Sequence, residues 1–421
     1  MNVQLMVKLF LEKAKEWAFY AFLFTVPIFC VAGNLDTRVV QERYFQAACM
    51  ILGSLYFGNI WIMLFLWLGI ILFIVNGSTV GASNILSIFL TGIIFACSRN
   101  FFSNKSFVKY SNALYLVLFL SLILTIFQLF GISPINTTMS SDGVLHPEMT
   151  FTLPCGLFFL PAFHGIFITL ICSILVMSSS WLFFLLLIPV FICQSSAVAM
   201  ALGFLVIFYA YHKLRRFFWL FVIAGIIGAG TYLYMDNKHD KLTFNSRFEN
   251  WHCFLSKALA NPLGYGPDSF RNYNTTKNFQ FTSDEDYNPI IRTKLNNKED
   301  ILVYHSADLG KTSQRYKGRI PKHITDWDNP HNEYIQLFFE YGIFGIILLI
   351  CLLREIYYRF ILSDKSKEVL ALFACLCCFF IVSITQFPFH LARLSGIFGV
   401  ILGAYYANTD KYYKLMEDSN G

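Results

Sequence analysis

The residues best suited to chemistry lie where a long polar segment runs into an apolar helix, at residues 328–345. Asn329 fits a helix N-cap, and Pro330 fits the first helical position, where the missing N–H costs nothing. This spacing predicts His331 and Asn332 in the first turn, beside free N–H groups that attract anions such as phosphate. The positive end of a helix disfavours an imidazolium, so we expect His331 to stay neutral and able to accept a proton.

Composition places this candidate site at a membrane. The chain has 421 residues, of which 56% are hydrophobic and 14% are charged. Soluble domains carry about 25% charged residues, so we expect an integral membrane protein. The net charge of +6 is modest, and Lys and Arg collect in alternate short loops, so nucleic-acid binding is not indicated.

The apolar runs predict an all-α polytopic membrane protein with about 12 transmembrane helices, because a span needs about 17–25 residues. The predicted spans lie near residues 17–33, 45–58, 61–75, 85–97, 113–131, 151–177, 181–193, 197–211, 217–234, 333–353, 368–387 and 391–407. The predicted domains are transmembrane helices 1–9 in residues 1–234, a large periplasmic loop domain in residues 235–330, transmembrane helices 10–12 in residues 331–407, and a cytoplasmic tail in residues 408–421.

Two features of the long loop can be predicted from its pattern. Residues 245–259 have apolar side chains at helical spacing and are followed by Asn261-Pro262-Leu263-Gly264, which predicts a helix that ends at this turn. Residues 272–322 are polar with little periodicity, and we expect loops there with at most one short helix.

Loop charge predicts the orientation. The basic segments are residues 8–15, 99–109, 213–216, 354–367 and 411–414, and the intervening loops are neutral or mildly acidic. With an even number of spans, the positive-inside rule places all of these segments and both termini in the cytoplasm. The long loop then lies on the opposite side of the membrane from the cytoplasm.

Two blocks of residues carry a resemblance to a known family. Residues 329–336, followed by Glu340-Tyr341-Gly342 and Gly345, resemble the hallmark of the O-antigen ligase and polymerase superfamily: a His-Asn pair, an aliphatic helix face, then Glu-x-Gly-x-x-Gly. Upstream, Ser246-Arg247-x-x-x-Trp251 and the turn at residues 261–266 resemble the second family block. The two blocks bracket one large loop between late spans, as in the family.

The resemblance implies a glycosyltransferase of the bacterial inner membrane with an undecaprenyl diphosphate-linked glycan as donor. Transfer would invert the anomeric centre and need no metal or other cofactor. Ligases of this family use lipid A–core as acceptor, polymerases use another repeat unit, and related oligosaccharyltransferases use a protein hydroxyl. Many of these oligosaccharyltransferases carry a soluble C-terminal extension, whereas only Asn408–Gly421 follows the last predicted span, which favours the O-antigen ligase.

The resemblance also assigns roles to residues. His331 is the expected base, and Arg247 is the expected cation for the leaving diphosphate, because a guanidinium stays charged and grips phosphate oxygens. The substrate-binding candidates are Asn332, Trp251, Tyr265, Gly266 and Glu340. Trp251 and Tyr265 can instead anchor the loop, and Glu340 can be structural. Gly342 and Gly345 are expected to permit close helix packing.

One family feature is missing from this chain. The family usually carries an Arg in a Ser-Arg-small context before the large loop, but the matching stretch, Gln194–Leu202, has no Arg. We expect either that Arg393 or a cation from the loop replaces it, or that the phosphate is held differently.

Outside the enzymes, the alternative is a lipid-linked glycan transporter. Transporters typically have matching halves with interrupted helices and intramembrane charges in both. Here the polar residues are concentrated in one late loop, and charged residues within the predicted spans are few. This distribution disfavours transport.

Overall fold

The computed structural model divides into two compact units. The residues that it describes are 3–28, 48–49, 51–53, 56, 80–130, 156–157, 161–178, 187–188, 195–215, 218–219, 222–223, 251, 254–266, 279–284, 287–295, 298–303, 332–386, 388–390 and 392–420. The first unit comprises Met1–Gly225, Leu353–Val382 and Pro388–Gly421, and the second comprises Ile226–Leu352 and Ser383–Phe387.

Helices form the described part of the first unit. They are α1 (Val3–Ile28), α2 (Val80–Phe102), α3 (Phe107–Tyr110), α4 (Asn112–Leu129), α5 (Pro161–Ser178), α6 (Ser196–Lys213), α7 (Glu333–Leu362, which begins in the second unit), α8 (Lys367–Val382), a 3-10 turn (Pro388–His390) and α9 (Ala392–Asn420). The helix α9 continues through the predicted cytoplasmic tail.

The helices agree with a helical membrane protein. Among the described residues, Phe107–Leu129 and Glu333–Leu362 are long and apolar enough to cross a membrane, with mean hydropathies of 2.1 and 2.2. Shorter apolar helices occupy Leu90–Phe102, Ala162–Met177 and Ala197–Lys213. The predicted span near residues 61–75 lies outside the described residues, and the number of spans, about 12, stays a prediction.

The helix α8 is central to the first unit, where it contacts α5, α6 and α9. The helix α9 in turn packs along α2, and two glycines on α9 allow the backbones of the two helices to approach each other closely. A Cβ atom on Gly403 would lie 2.5 Å from the Ser98 Cβ, and one on Gly399 would lie 2.9 Å from the Thr91 carbonyl oxygen. Gly399 and Gly403 therefore form a G-x-x-x-G contact of the kind that lets membrane helices approach closely.

A buried histidine joins α4 to α5. The Thr125 hydroxyl donates to the Ser121 carbonyl at 2.9 Å, so its oxygen can accept from the His164 Nε2, also at 2.9 Å. The Ser121 hydroxyl lies 3.1 Å from the His164 Nδ1 and can donate a hydrogen bond to it. Both ring nitrogens are thus hydrogen-bonded, and we interpret His164 as a packing residue.

Ion pairs connect the predicted basic segments at one end of the first unit. The Arg99 Nε and the Arg359 Nη1 lie 2.8 and 2.7 Å from the two Asp410 carboxylate oxygens. Lys105 lies 3.7 Å from Glu16, which follows the first basic segment. That these segments share one side of the membrane stays a prediction.

The loop region corrects the all-α prediction. Residues 279–303 contain three antiparallel strands in the order β1-β2-β3, namely β1 (Phe279–Asp284), β2 (Tyr287–Leu295) and β3 (Lys298–Val303). In the pairing of β2 with β3, Leu295 lies opposite Lys298. The strands are short and polar, which is why periodicity alone predicted loops there.

The α2–α9 contact predicts different effects for two glycine substitutions. Gly403→Ala forces its Cβ against α2, which should cost about 1–3 kcal/mol as overpacking. Gly203→Ala, on α6, places a Cβ with no heavy atom within 4 Å, so it should leave stability unchanged or slightly raised. Thermal unfolding in detergent micelles compares the two variants, and equal midpoints would contradict the close α2–α9 packing.

Candidate active site

The second unit contains the described candidates for the site. His331 and Arg247, the expected base and cation, lie outside the described residues, so their roles stay predictions. The structure does describe Asn332, Trp251, Tyr265, Gly266 and Glu340, all within Ile226–Leu352. Of these, Trp251 is helical and half-buried.

The predicted turn at residues 261–266 is confirmed. Helical residues 254–260 end at Asn261, whose side-chain amide donates to the Gly264 carbonyl at 2.9 Å. The Gly264 N–H donates back to the Asn261 carbonyl at 3.0 Å. Gly264 and Gly266 have φ angles of +87° and +93°, a region that glycine adopts without strain.

The helix α7 is broken at Gly342, and the turn at residues 261–266 fills the break. Gly342 has φ 62° and ψ −154°, a conformation essentially restricted to glycine. An unbroken helix would pair the Ile343 N–H with the Phe339 carbonyl. Instead the Ile343 N–H donates to the Pro262 carbonyl at 2.8 Å.

The carbonyls released by the break are paired by the same turn. The Tyr265 N–H donates to the Phe339 carbonyl, and the Gly266 N–H donates to the Glu340 carbonyl, each at 2.9 Å. The backbone groups freed by the break thus find partners in the turn, as a buried backbone requires. We refer to these two hydrogen bonds, together with the one from the Ile343 N–H to the Pro262 carbonyl, as the turn–break contact.

The turn–break contact corrects the role expected of Gly342. A Cβ atom on Gly342 would lie 2.3 Å from the Pro262 carbonyl oxygen, so this glycine admits a loop rather than a neighbouring helix. A Cβ on Gly264 would lie 2.5 Å from the Glu340 carbonyl oxygen. The glycines of the two motif blocks therefore face each other, and neither tolerates a side chain at this distance.

Aromatic rings support the same contact. The Phe339 ring stacks on Tyr265 at 4.6 Å between centroids, with 21° between their planes. Phe339 also meets the Phe254 ring edge-on at 5.3 Å. Tyr265 thus anchors the turn through one face, while 39% of its surface remains exposed. Stacking of Tyr265 on a sugar stays a prediction.

The start of α7 differs from the prediction. The helix begins at Glu333, and Asn332 is its N-cap, because its Oδ1 accepts from the N–H groups of Tyr334 and Ile335 at 3.0 and 3.1 Å. The Asn329-Pro330 cap was therefore placed three residues too early. Two residues with the same capping preference lie close together, and sequence alone does not decide between them.

The N-terminal N–H groups of α7 are already paired. The Glu333 N–H donates to the Ser383 carbonyl at 2.9 Å, and Asn332 accepts from the next two N–H groups. The expectation that free N–H groups at this terminus attract phosphate was therefore wrong.

A buried polar stripe runs along the start of α7. Glu333, Gln336 and Glu340 share one face of the helix, and the Gln336 Nε2 donates to the Glu340 Oε1 at 3.0 Å. The side chain of Glu340 is only 1% exposed. Burial of a carboxylate in an apolar helix is costly, so Glu340 needs compensating partners, and the choice between a substrate-binding and a structural role for it stays a prediction.

The turn that follows α8 adds further buried polar residues. They are Ser383, Thr385 and Gln386, which lie in the second unit together with the start of α7. Sequence reasoning missed them because they end a predicted span. The available signal was a polar cluster just before Pro388.

Among the described residues, no group of three His, Cys, Asp or Glu side chains could hold a metal ion.

A sequence model of a known protein family matches part of this chain. The sequence model of the family described as O-antigen ligase matches residues 166–297. The match includes the turn at residues 261–266 and ends before the start of α7. Comparison with curated proteins gives no match, and comparison with solved structures gives none either.

The turn–break contact predicts that two neighbouring glycines respond differently to alanine. Gly264→Ala adds both positive-φ strain and a clash with the Glu340 backbone, so it should lower the unfolding midpoint strongly. Gly266→Ala adds the same kind of strain, but its Cβ meets no atom within 4 Å, and its effect should stay near 1 kcal/mol. Thermal unfolding in detergent measures both, and a smaller effect at Gly264 would refute the contact.

The cap at Asn332 makes a second prediction. Asn332→Ala removes an oxygen that accepts two backbone N–H groups, and should destabilise the protein by about 1 kcal/mol. Asn332→Asp keeps an accepting oxygen and should retain most of the stability. Matching unfolding midpoints for the alanine and aspartate variants would show that Asn332 does not cap α7.

Proposed function

We propose that this chain is a member of the O-antigen ligase superfamily, whose sequence model matches residues 166–297, and that it transfers an O-antigen or related glycan from undecaprenyl diphosphate to a hydroxyl of lipid A–core. The family consists of bacterial membrane proteins that act as glycan ligases or polymerases. The reaction would be a metal-independent, inverting glycosyl transfer at the periplasmic face of the inner membrane.

The turn–break contact is the observation that carries this proposal. The family match ends at residue 297, so it covers only the first of the two motif blocks. In the structure, the turn at residues 261–266 is hydrogen-bonded to α7 at Phe339, Glu340 and Ile343. This pairing supports the interpretation that both blocks belong to one site.

The proposed reaction displaces a lipid diphosphate from an anomeric carbon. The acceptor hydroxyl attacks this carbon, His331 takes the hydroxyl proton, and the carbon–oxygen bond to the diphosphate breaks with its electron pair on the departing oxygen. A positioned base of this kind contributes about 10²–10⁴-fold to the rate.

The leaving diphosphate gains charge as the bond breaks. Arg247 is proposed to stabilise this charge through paired hydrogen bonds to the phosphate oxygens. Because the N-terminal N–H groups of α7 are already occupied, side-chain cations carry this role in our proposal. In the sequence, His331 directly precedes Asn332, the N-cap of α7.

We further propose that both termini lie in the cytoplasm and that the turn–break contact lies on the periplasmic side. The ion pairs of Arg99 and Arg359 with Asp410 support this arrangement, because they gather basic segments at one end of the first unit. An excess of Lys and Arg marks the cytoplasmic side of a membrane protein.

Genetic complementation tests the proposed ligase. In cells that make undecaprenyl-linked O-chains and lack their own ligase, the wild-type chain should restore long-chain lipopolysaccharide. His331→Ala should abolish it and cause lipid-linked polymer to accumulate, because the base contributes about 10²–10⁴-fold. His323→Ala changes the same residue type in the same loop and should behave as wild type.

The products also separate the related activities. A change in chain length alone would indicate a polymerase, and loss of a protein glycoform with intact lipopolysaccharide would indicate an oligosaccharyltransferase. If His331→Ala restores lipopolysaccharide as well as the wild type does, His331 has no part in the mechanism.

A further inference from the structure

Two buried polar side chains near the start of α7 have atoms that the proposed mechanism does not use. Gln336 is 4% exposed and Thr385 is 9% exposed. Among the described residues, the Gln336 Oε1 and the Thr385 Oγ1 have no hydrogen-bond partner. A buried polar atom left unpaired costs about 1–3 kcal/mol, so a group that pairs with these atoms would gain affinity.

A backbone contact brings the two side chains to the same part of the second unit. The Glu333 N–H donates to the Ser383 carbonyl at 2.9 Å, which joins the first turn of α7 to the turn after α8. Gln336 lies one helical turn after Glu333 on the same face, and Thr385 follows Ser383 in its turn. Gln336 and Thr385 therefore lie on the two segments that this contact joins.

The chemistry of the two atoms specifies the group they would bind. The Gln336 Nε2 donates to the Glu340 Oε1 at 3.0 Å, which fixes the amide orientation and leaves Oε1 as an acceptor. A phosphate or carboxylate oxygen cannot donate to it. The Thr385 hydroxyl can donate or accept. An acceptor and a hydroxyl on neighbouring segments suit a ligand that both donates and accepts, as a sugar hydroxyl does.

We propose that Gln336 and Thr385 form a subsite that binds a sugar hydroxyl of the glycan substrates. This inference rests on the proposed function and deepens it, because it assigns residues to sugar recognition rather than to the diphosphate. The sugar can belong to the lipid-linked donor or to the acceptor, and the kinetics of transfer distinguish the two.

Initial rates of the full-length protein in proteoliposomes test the subsite. Undecaprenyl diphosphate-linked O-antigen and lipid A–core are varied in turn. Thr385→Val removes the hydroxyl and should raise KM for one of them about 3- to 10-fold, the loss expected for one neutral hydrogen bond, with a smaller change in kcat. Thr385→Ser should retain the wild-type KM, and Gln336→Leu should raise KM for the same substrate as Thr385→Val.

A matched control lies in the first unit. Thr169 is fully buried, but its hydroxyl donates to the Gly165 carbonyl at 2.7 Å within α5. Thr169→Val should keep both KM values. A rise in the donor KM assigns the subsite to the transferred glycan, and a rise in the acceptor KM assigns it to lipid A–core.

The failure of the subsite and the failure of the proposed function give different results. An active wild type whose Thr385→Val and Gln336→Leu variants keep both KM values overturns the subsite alone. If neither the Thr385→Val nor the Gln336→Leu variant folds, the subsite is also overturned, because Thr385 and Gln336 are then structural residues. A folded wild type that transfers no glycan overturns the proposed function and the subsite that rests on it.

Discussion

The pairing of backbone groups at a broken helix is the constraint on which the described site depends. A helix in an apolar environment cannot leave N–H and carbonyl groups without partners. The break at Gly342 frees the Ile343 N–H and the carbonyls of Phe339 and Glu340, and the turn at residues 261–266 pairs them all. The break and the turn therefore require each other, and neither is expected to be stable alone.

The same constraint explains why the motif blocks are rich in glycine. Gly264 and Gly342 both have positive φ angles, and a Cβ on either would lie within 2.5 Å of the opposite backbone. Glycine is required by conformation and by distance together. The Phe339 ring packs next to the contact, against the rings of Tyr265 and Phe254.

The parts of the fold that sequence could predict follow from strong local signals. Long apolar runs marked most of the described helices, and Pro262 with Gly264 marked the end of the helix before them. The start of α7 was misplaced because Asn329 and Asn332 have equal preference for an N-cap, and the hydrogen bonds that the Asn332 Oδ1 accepts are visible only in the structure. The strands were missed because short polar strands give little periodicity.

The candidate site was predictable only where its residues form a contiguous motif. Asn332, Gln336 and Glu340 lie within a single block, whereas Thr385 and Gln386 reach the second unit from a distant part of the chain. Contacts between segments so far apart depend on tertiary structure, as does the G-x-x-x-G packing of Gly399 and Gly403 against α2. The roles of His331 and Arg247 still rest on the family pattern and on the proposed chemistry.

Amide hydrogen exchange at the turn tests the central claim most directly. If the turn–break contact exists, the amides of Tyr265 and Gly266 exchange slowly although they lie outside any helix or strand. Gly342→Ala, whose Cβ would lie 2.3 Å from the Pro262 carbonyl oxygen, should make both amides exchange rapidly. Rapid exchange in the wild-type protein, at the rate of an exposed loop, would contradict the account.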